Sequence, residues 1–190
     1  PMDEDKEITG PLASKLFISS ATKDADLFLV VRLFTPDMKE VTFKGTVDPH
    51  TPIAQGWLRA SHRKLDTKKS KPWRPWHTHD KKQPLKPGSV YELDIEIWPT
   101  CVVIPAGYRL ALTVRGKDYV YSGEPLSLSN FAHPLDGCGP FLHDDPRDRP
   151  KSVFGGDVTI HTGPNHPSYV MLPVVPPKSA GKKKAAKKKK

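Results

Sequence analysis

The feature that most constrains the fold is a strict two-residue alternation of apolar and polar side chains. Two segments, Val90–Trp98 and Tyr108–Arg115, place apolar residues at every second position with mostly polar or charged residues between them. Successive side chains of a β-strand point to opposite faces, whereas a helix would scatter the same residues around its circumference. Both segments are therefore predicted to be strands with one buried face and one face in contact with water.

The segment Asp26–Phe34 departs from this alternation because both of its faces are apolar. Leu27, Leu29, Val31 and Leu33 lie on one face, while Phe28, Val30 and Phe34 lie on the other. A strand covered on both faces belongs in the middle of a sheet or beneath a second domain. Phe28 and Phe34, together with Trp57, are expected to form an apolar patch through which an isolated chain would self-associate.

Shorter segments of the same character complete the pattern. No long segment has the 3.6-residue apolar period of an amphipathic helix, and proline and glycine separate the apolar runs. The sequence therefore predicts an all-β fold, a mostly antiparallel jelly-roll β-sandwich with long loops. The further strands are expected near Lys15–Ser19, Glu40–Val47, Gln55–His62, Val158–Thr162 and Tyr169–Val174.

Two long connections, Lys64–Gly88 and Gly116–Gly156, interrupt the strands. Both are rich in proline and in polar residues, and the first also contains two tryptophans. Loops of this length in a compact domain are usually functional or packed against another surface, so both are candidate binding regions.

The net charge of +9 comes mostly from one terminal segment. The segment Gly181–Lys190 holds seven lysines, and without them the chain has 23 basic and 21 acidic residues. This near balance gives no support for a specific nucleic-acid-binding surface. Residues 1–175 are expected to form the sandwich domain and residues 176–190 a disordered Lys-rich tail. Such a tail either binds nucleic acid or anionic lipid through salt-dependent contacts or has no dedicated partner.

Cysteine content and hydropathy bear on the compartment. Cys101 and Cys138 are too few for a disulfide scaffold, and free thiols in a reducing compartment explain them most simply. No apolar stretch is long enough to cross a bilayer, and the first residues lack the basic and apolar regions of a secretory signal. The sequence therefore favours a cytoplasmic protein without a membrane span, and no motif in it indicates a cofactor.

The segment Trp73–Asp80 contains two closely spaced tryptophans and two histidines. His77 and His79 would share a face of an extended chain beside an aspartate, but the usual zinc patterns need further ligands and none follows. Trp73 and Trp76 could stack on sugar rings, or they could pack against a neighbouring surface. A metal site, a sugar site and a packing surface are all open for this segment.

A second candidate site is the run His143-Asp144-Asp145, with Asp148 shortly after it. These side chains suit an acid/base pair or a cation site built from oxygen ligands. A charged loop tip explains the same residues without any site, and this interpretation is preferred.

The third candidate is the predicted strand around Trp57. Trp57, Arg59 and Arg63 are expected on one face of it, because they are spaced by two residues. Tryptophan and arginine are common anchors of protein interfaces, so this face suits contact with another protein. Alternatively, or in addition, Arg59 and Arg63 pair with carboxylates such as Glu92 or Asp94 on an outward sheet face.

Several motifs resemble the C-terminal domain of the cocaine esterase (CocE/NonD) / X-Pro dipeptidyl-peptidase family of serine hydrolases. In that family an α/β-hydrolase domain carries a Ser-Asp-His triad and a β-sandwich follows it. No Gly-x-Ser-x-Gly nucleophile elbow occurs in this sequence. The motifs that carry the resemblance are Ile8–Leu12, Ser20–Leu27, Gly56–Arg63, Gln83–Gly88, Ile97–Thr100, Pro105–Leu110 and Ser168–Val174.

The resemblance implies a non-catalytic domain with a galactose-binding-domain-like sandwich. Its partner would be an α/β-hydrolase catalytic domain, upstream in the same polypeptide or supplied as a complementing fragment. The parent activity would be hydrolysis of acyl esters or amides, or X-Pro dipeptidyl-peptidase activity. The expected contact surface comprises the Trp57/Arg59/Arg63 face and the segment Trp73–Asp80. The alternative function is a stand-alone carbohydrate-binding sandwich using Trp73 and Trp76.

Overall fold

The structure, a computed structural model, describes residues 1–140 and 142–177. Within them the chain forms a sandwich of two antiparallel sheets, so the predicted all-β sandwich is confirmed. No helix in these residues has the length and apolar character needed to cross a membrane. The strands are β1 (Lys6–Ser20), β2 (Asp26–Phe34), β3 (Glu40–Val41), β4 (Ala54–Arg59), β5 (Tyr91–Ile104), β6 (Arg109–Arg115), β7 (Val158–His161), β8 (Tyr169–Met171) and β9 (Val174–Val175); the helices are a 3₁₀ turn at Ala60–His62 and α1 (Lys151–Phe154).

The long strand β1 is the centre of the first sheet. β5 pairs with it along one edge over nearly its whole length, and β7, β8 and β9 share the other edge. β1 begins well before the predicted start at Lys15, because a bulge between Gly10 and Leu12 lets the strand continue past Pro11. A Gly-Pro pair therefore does not end this strand.

The second sheet is built on β2, which pairs with β6 on one edge and with β4 and β3 on the other. Its outward-facing Phe28 and Val30 are as deeply buried as its inward-facing leucines. Phe28 lies under His143 and Arg149, which belong to the connection Gly116–Gly156. The prediction of an exposed apolar patch is therefore wrong at Phe28, because the chain covers this residue itself.

The core lies between the two sheets, and β4 crosses β5 closely at Gly56. A Cβ atom at Gly56 would collide with the carbonyl oxygen of Glu96 and lie 2.9 Å from the Cα of Ile97. Only glycine allows the two backbones to approach in this way. The buried strand residues of the core are Ile8, Leu12, Leu16, Ile18, Leu27, Leu29, Val31, Leu33, Ala54, Leu58, Leu93, Ile95, Ile97 and Ile104.

Both long connections pack against the sandwich. The connection Lys64–Gly88 adds Leu85 to the core, and its backbone bonds to residues before β2. The connection Gly116–Gly156 contributes Tyr119 and Leu135, whose side chains are fully buried. Their lengths are thus explained by coverage of the sheets as well as by any binding role.

Three predicted strands are shorter in the structure. The strand predicted at Glu40–Val47 ends at Val41, since the chain turns at Gly45. The strand predicted at Gln55–His62 ends at Arg59, because the next backbone N–H groups bond to the segment before β2 and a 3₁₀ turn follows. The segment Tyr169–Val174 splits into β8 and the start of β9. The predicted tail falls almost wholly outside the described residues.

Candidate functional site

A groove, here called the corner groove, lies where β4 crosses β5. Trp57 and Trp98 form its centre, and their rings meet edge to face with centroids 5.0 Å apart. Trp98 has 61% of its surface exposed, a large fraction for a residue type that is usually well buried. The other lining residues are Leu58, Arg59, His62, His77, His79 and Glu96.

Three histidines form one wall of the corner groove. The Nδ1 atoms of His62 and His79 lie 3.1 Å apart, and the Nε2 atom of His77 is buried without a partner among the described residues. Burial, followed by the charge of His79, lowers the pKa of both His62 and His77. Within residues 1–140 and 142–177 no group of three or more His, Cys, Asp or Glu side chains is placed to hold a metal ion.

Arg59 belongs to a network of ion pairs at the edge of the corner groove. Its guanidinium donates to both carboxylate oxygens of Asp26, at 2.8 and 2.9 Å, and to Asp148, at 2.7 and 2.9 Å. Arg149 donates to the same Asp26 at 2.8 Å. The hydrogen bonds from Arg59 to Asp26 and Asp148 raise the pKa of Arg59, so it stays charged. The network ties β2 and β4 to the connection Gly116–Gly156.

Arg59 pairs with carboxylates as predicted, but with Asp26 and Asp148, whereas the named partners Glu92 and Asp94 and the pairing of Arg63 are wrong. Glu92 and Asp94 both pair with Lys15 on β1, at 2.8 Å for Asp94. Arg63 donates to the carbonyls of Ala60 and Gln83, and its guanidinium lies 4.6 Å from the ring centroid of Tyr91. The 3₁₀ turn after Arg59 breaks the two-residue alternation, so Arg63 does not share a face with Trp57.

A cavity of about 530 Å³ opens on the other side of the tryptophan pair. The turn Gly137–Gly139 forms one of its walls, and the buried carboxylate of Asp48 holds that turn by accepting hydrogen bonds from the N–H groups of both glycines. Burial and the nearby carboxylates raise the pKa of Cys138 in this turn to about 12. The thiol therefore remains protonated and is a poor nucleophile at neutral pH.

His143 lies between this cavity and the Arg59 network. Its Nδ1 atom is 2.8 Å from the buried carboxylate of Asp118, which also accepts the His143 backbone N–H. The acid/base or cation site, which was the less favoured interpretation of His143-Asp144-Asp145, is not assembled: Asp145 pairs with Arg147, and Asp148 pairs with Arg59. Asp118, the residue that orients His143, lies 25 positions earlier in the chain.

The two other tryptophans lie apart from the corner groove. Trp73 lines a cavity with Pro11 and Met171, next to the first sheet. The ring of Trp76 is approached by Lys69 and Arg74, whose charged groups lie 5.2 and 5.8 Å from its centroid. The two rings thus have different neighbours, and sugar binding by the pair stays a prediction.

The sequence also matches a family model over residues 1–171, that of the X-Pro dipeptidyl-peptidase C-terminal non-catalytic domain. The match covers most of the chain and includes every residue of the corner groove. The chain belongs to this family. The family resemblance expected from the motifs is therefore confirmed.

Relatives of this X-Pro dipeptidyl-peptidase C-terminal domain are much longer proteins. "Putative serine esterase Mb1866c" of Mycobacterium bovis and "Putative serine esterase MT1883" of Mycobacterium tuberculosis are each 28% identical over 93% of the chain, which covers 23% of their length. The structure of a CocE/NonD family hydrolase from Staphylococcus aureus is 28% identical with a TM-score of 0.78; the match covers 92% of this chain and 29% of that one. An α-amino acid ester hydrolase, at 17% identity and a TM-score of 0.54, shares the fold.

Sequence reasoning missed two residues of the site in this C-terminal domain. Trp98 stands where the alternation of β5 predicts an outward side chain, and a tryptophan at an outward position was a usable signal. Asp118 gave no signal, because a single aspartate in a polar connection has no pattern. Of the predicted surface residues, Trp57, Arg59, His77 and His79 line the corner groove, whereas Arg63, Trp73 and Trp76 do not.

Proposed function

We propose that this chain is the C-terminal part of a larger serine hydrolase and that an α/β-hydrolase catalytic domain packs against it. The observation that carries the proposal is the family match combined with coverage: the chain spans less than a third of the length of each relative named above. The sandwich occupies one part of those proteins, and the remaining length is available for a catalytic domain.

The proposed parent reaction is acyl transfer by a serine nucleophile. Such an enzyme attacks an ester or amide carbonyl with an activated serine, and water later releases the acyl group. The names of the relatives, which include serine esterases and a CocE/NonD family hydrolase, support an ester or amide substrate. This domain would contribute structure to the cleft and no triad residue.

The corner groove is the proposed contact surface for the catalytic domain. Trp98 is exposed next to a half-buried Trp57, and tryptophan is enriched among residues that dominate binding at interfaces. Arg59 is held in a fixed position by two carboxylates beside this pair. A rigid aromatic centre with a polar rim is the arrangement that protein interfaces commonly show.

The size and reactivity of the native polypeptide test the first part of the proposal. Source-cell lysate is treated with a fluorophosphonate probe, which labels activated serines, and is then immunoblotted with an antibody against this domain. We expect one band far above 21.2 kDa that carries both signals. An antibody-positive band near that mass without probe label would contradict the proposal.

A substitution at Trp98 tests the contact surface in that native polypeptide. Trp98→Ser should lower the melting temperature of this domain within the polypeptide by about 2–4 °C, because an aromatic contact of about 1 kcal/mol between domains is lost. Val103→Ser is the matched control, since Val103 lies on the same strand and is 60% exposed. Equal shifts in the two variants would mean that the catalytic domain packs elsewhere.

A further inference from the structure

The charge of the domain is near balance only on average, because the positive charge is concentrated in one connection. Residues 63–88 contain nine Lys and Arg and two Asp, whereas the rest of residues 1–180 contains 14 basic and 19 acidic residues. The domain thus has one strongly positive region on a body of net negative charge. The electric field of a charged surface would therefore orient this molecule as it approaches.

The structure shows that residues 64–78 of this region form an ordered hairpin-like segment, here called the finger. Backbone hydrogen bonds join Asp66 to Trp76 and Thr78 to Lys64, so the two arms run side by side. The tip between them comprises residues 67–75. The carboxylate of Asp66 accepts the backbone N–H groups of Lys68 and Lys69, which fixes the turn where the tip begins.

The tip presents cations and indoles together. Its four cations, Lys68, Lys69, Lys71 and Arg74, are exposed, and none of them makes an ion pair within the part of the chain that the structure describes. Trp73, on the tip, is 48% exposed, and Trp76, at its base, is 44% exposed. The tip sequence contains no acidic residue.

We propose that this finger docks the protein onto an anionic lipid surface. Lysine clusters are attracted to anionic headgroups, and indole rings favour the boundary between headgroups and acyl chains. Most of the charge comes from lysine, which is depleted at protein–protein interfaces. Lys69 and Arg74 flank the ring of Trp76, so that ring is poorly placed to stack on nucleic-acid bases. The finger acts in this way whether or not the corner groove contacts a catalytic domain.

Vesicle binding by the full chain tests the proposal. The seven lysines within residues 182–190 are first replaced by glutamine, so that the tail charge does not contribute. Binding is measured with vesicles of phosphatidylcholine alone and with vesicles that contain about 30% phosphatidylserine. We expect binding only to the anionic vesicles, weakening as salt rises, with a blue shift of tryptophan emission that Trp73→Ser reduces.

Two triple variants distinguish vesicle binding through the finger from binding through the overall charge of the chain. K68E/K69E/K71E should lower the anionic-vesicle partition coefficient by about tenfold or more. K44E/K117E/K151E makes the same charge change at exposed positions elsewhere and should keep it within about twofold. Melting curves are recorded for both, so that a folding defect is recognised.

Three outcomes would overturn the proposal. One is the absence of binding to anionic vesicles, and another is an equal loss in both triple variants. The third is finger-dependent binding of a single-stranded oligonucleotide or of polyglutamate without binding to vesicles, which would assign the finger to nucleic acid or to an acidic protein.

Discussion

At the scale of single residues, Gly56 sets how closely the two sheets can approach. It faces the backbone of β5 at Glu96 and Ile97, and no side chain fits into this space. The distance between Trp57 and Trp98 depends on the same crossing, because Trp57 follows Gly56 in β4 and Trp98 follows Ile97 in β5. A change at Gly56 would therefore reach both the core and the corner groove.

Gly56→Ala should lower the free energy of unfolding by about 3 kcal/mol, because the added methyl group meets backbone that cannot move away without separating the sheets. Urea denaturation of the purified chain measures this loss. Gly116→Ala is the matched control: a Cβ there meets nothing within 4 Å, so its effect should stay within about 0.5 kcal/mol. Similar losses for both variants would show that the crossing is more adaptable than the structure indicates.

The Cys138 thiol should respond to pH only under alkaline conditions. Its pKa rises from an ordinary value of 9.0 to about 12 in the folded chain. The folded state thus holds this proton more tightly than the unfolded state does. The stability that the thiol contributes is complete below pH 9 and decreases as the pH rises toward 12.

Alkylation of the Cys101→Ser variant measures this effect at Cys138 alone. At pH 9 the folded chain should react with iodoacetamide on the order of a hundredfold more slowly than the urea-unfolded chain, because so little thiolate is present. Mass spectrometry of the product gives both rates. Equal rates would mean that the turn Gly137–Gly139 does not shield the thiol.

At the scale of structural elements, Asp26 fastens the connection Gly116–Gly156 to the second sheet. Arg59 comes from β4 and Arg149 from the connection, and both donate to its two carboxylate oxygens. Arg149 also donates to the carbonyls of His143 and Gly116, so one side chain holds both ends of the segment that covers Phe28.

Asp26→Asn should destabilise the chain by about 3 kcal/mol, since it leaves two guanidinium groups without their buried counter-charge. Hydrogen exchange of residues 143–149 should speed up more than exchange in β1. Asp148→Asn provides the comparison, because Asp148 pairs with the same Arg59 but its side chain is 65% exposed. The free energy of unfolding of that variant should fall by no more than about 1 kcal/mol. A larger loss for Asp148→Asn than for Asp26→Asn would refute the assignment.

The alternation of side chains was enough to predict the strands, and it failed where a distant contact decides the local structure. β5 and β6 were recognised because their inward residues face a core on one side only. β1 was recognised only in its second half, because whether Gly10 and Pro11 end a strand depends on whether a partner strand accepts a bulge there. The end of β4 at Arg59 depends in the same way on Asp24 and Ala25, which accept the next N–H groups.

At the scale of the whole molecule, the candidate site was only partly predictable because it is assembled from both sheets and both connections. Trp57 and Arg59 lie on one face of β4, as their two-residue spacing predicts. His77 and His79 join them through the folding of a connection, and nothing in their local spacing shows which strand they approach. The oriented pair Asp118–His143 is likewise formed by tertiary structure alone.

The pairing of β1 with strands that come much later in the chain has a consequence for biosynthesis. Within this domain β1 precedes every other strand in the chain, yet β9 pairs with it between Glu7 and Val175. Contacts between positions so distant in sequence form slowly, and unpaired strand edges are prone to aggregate while they wait. We therefore expect the first sheet to close only after translation of this domain has finished, which makes the nascent β1 a natural client for chaperones.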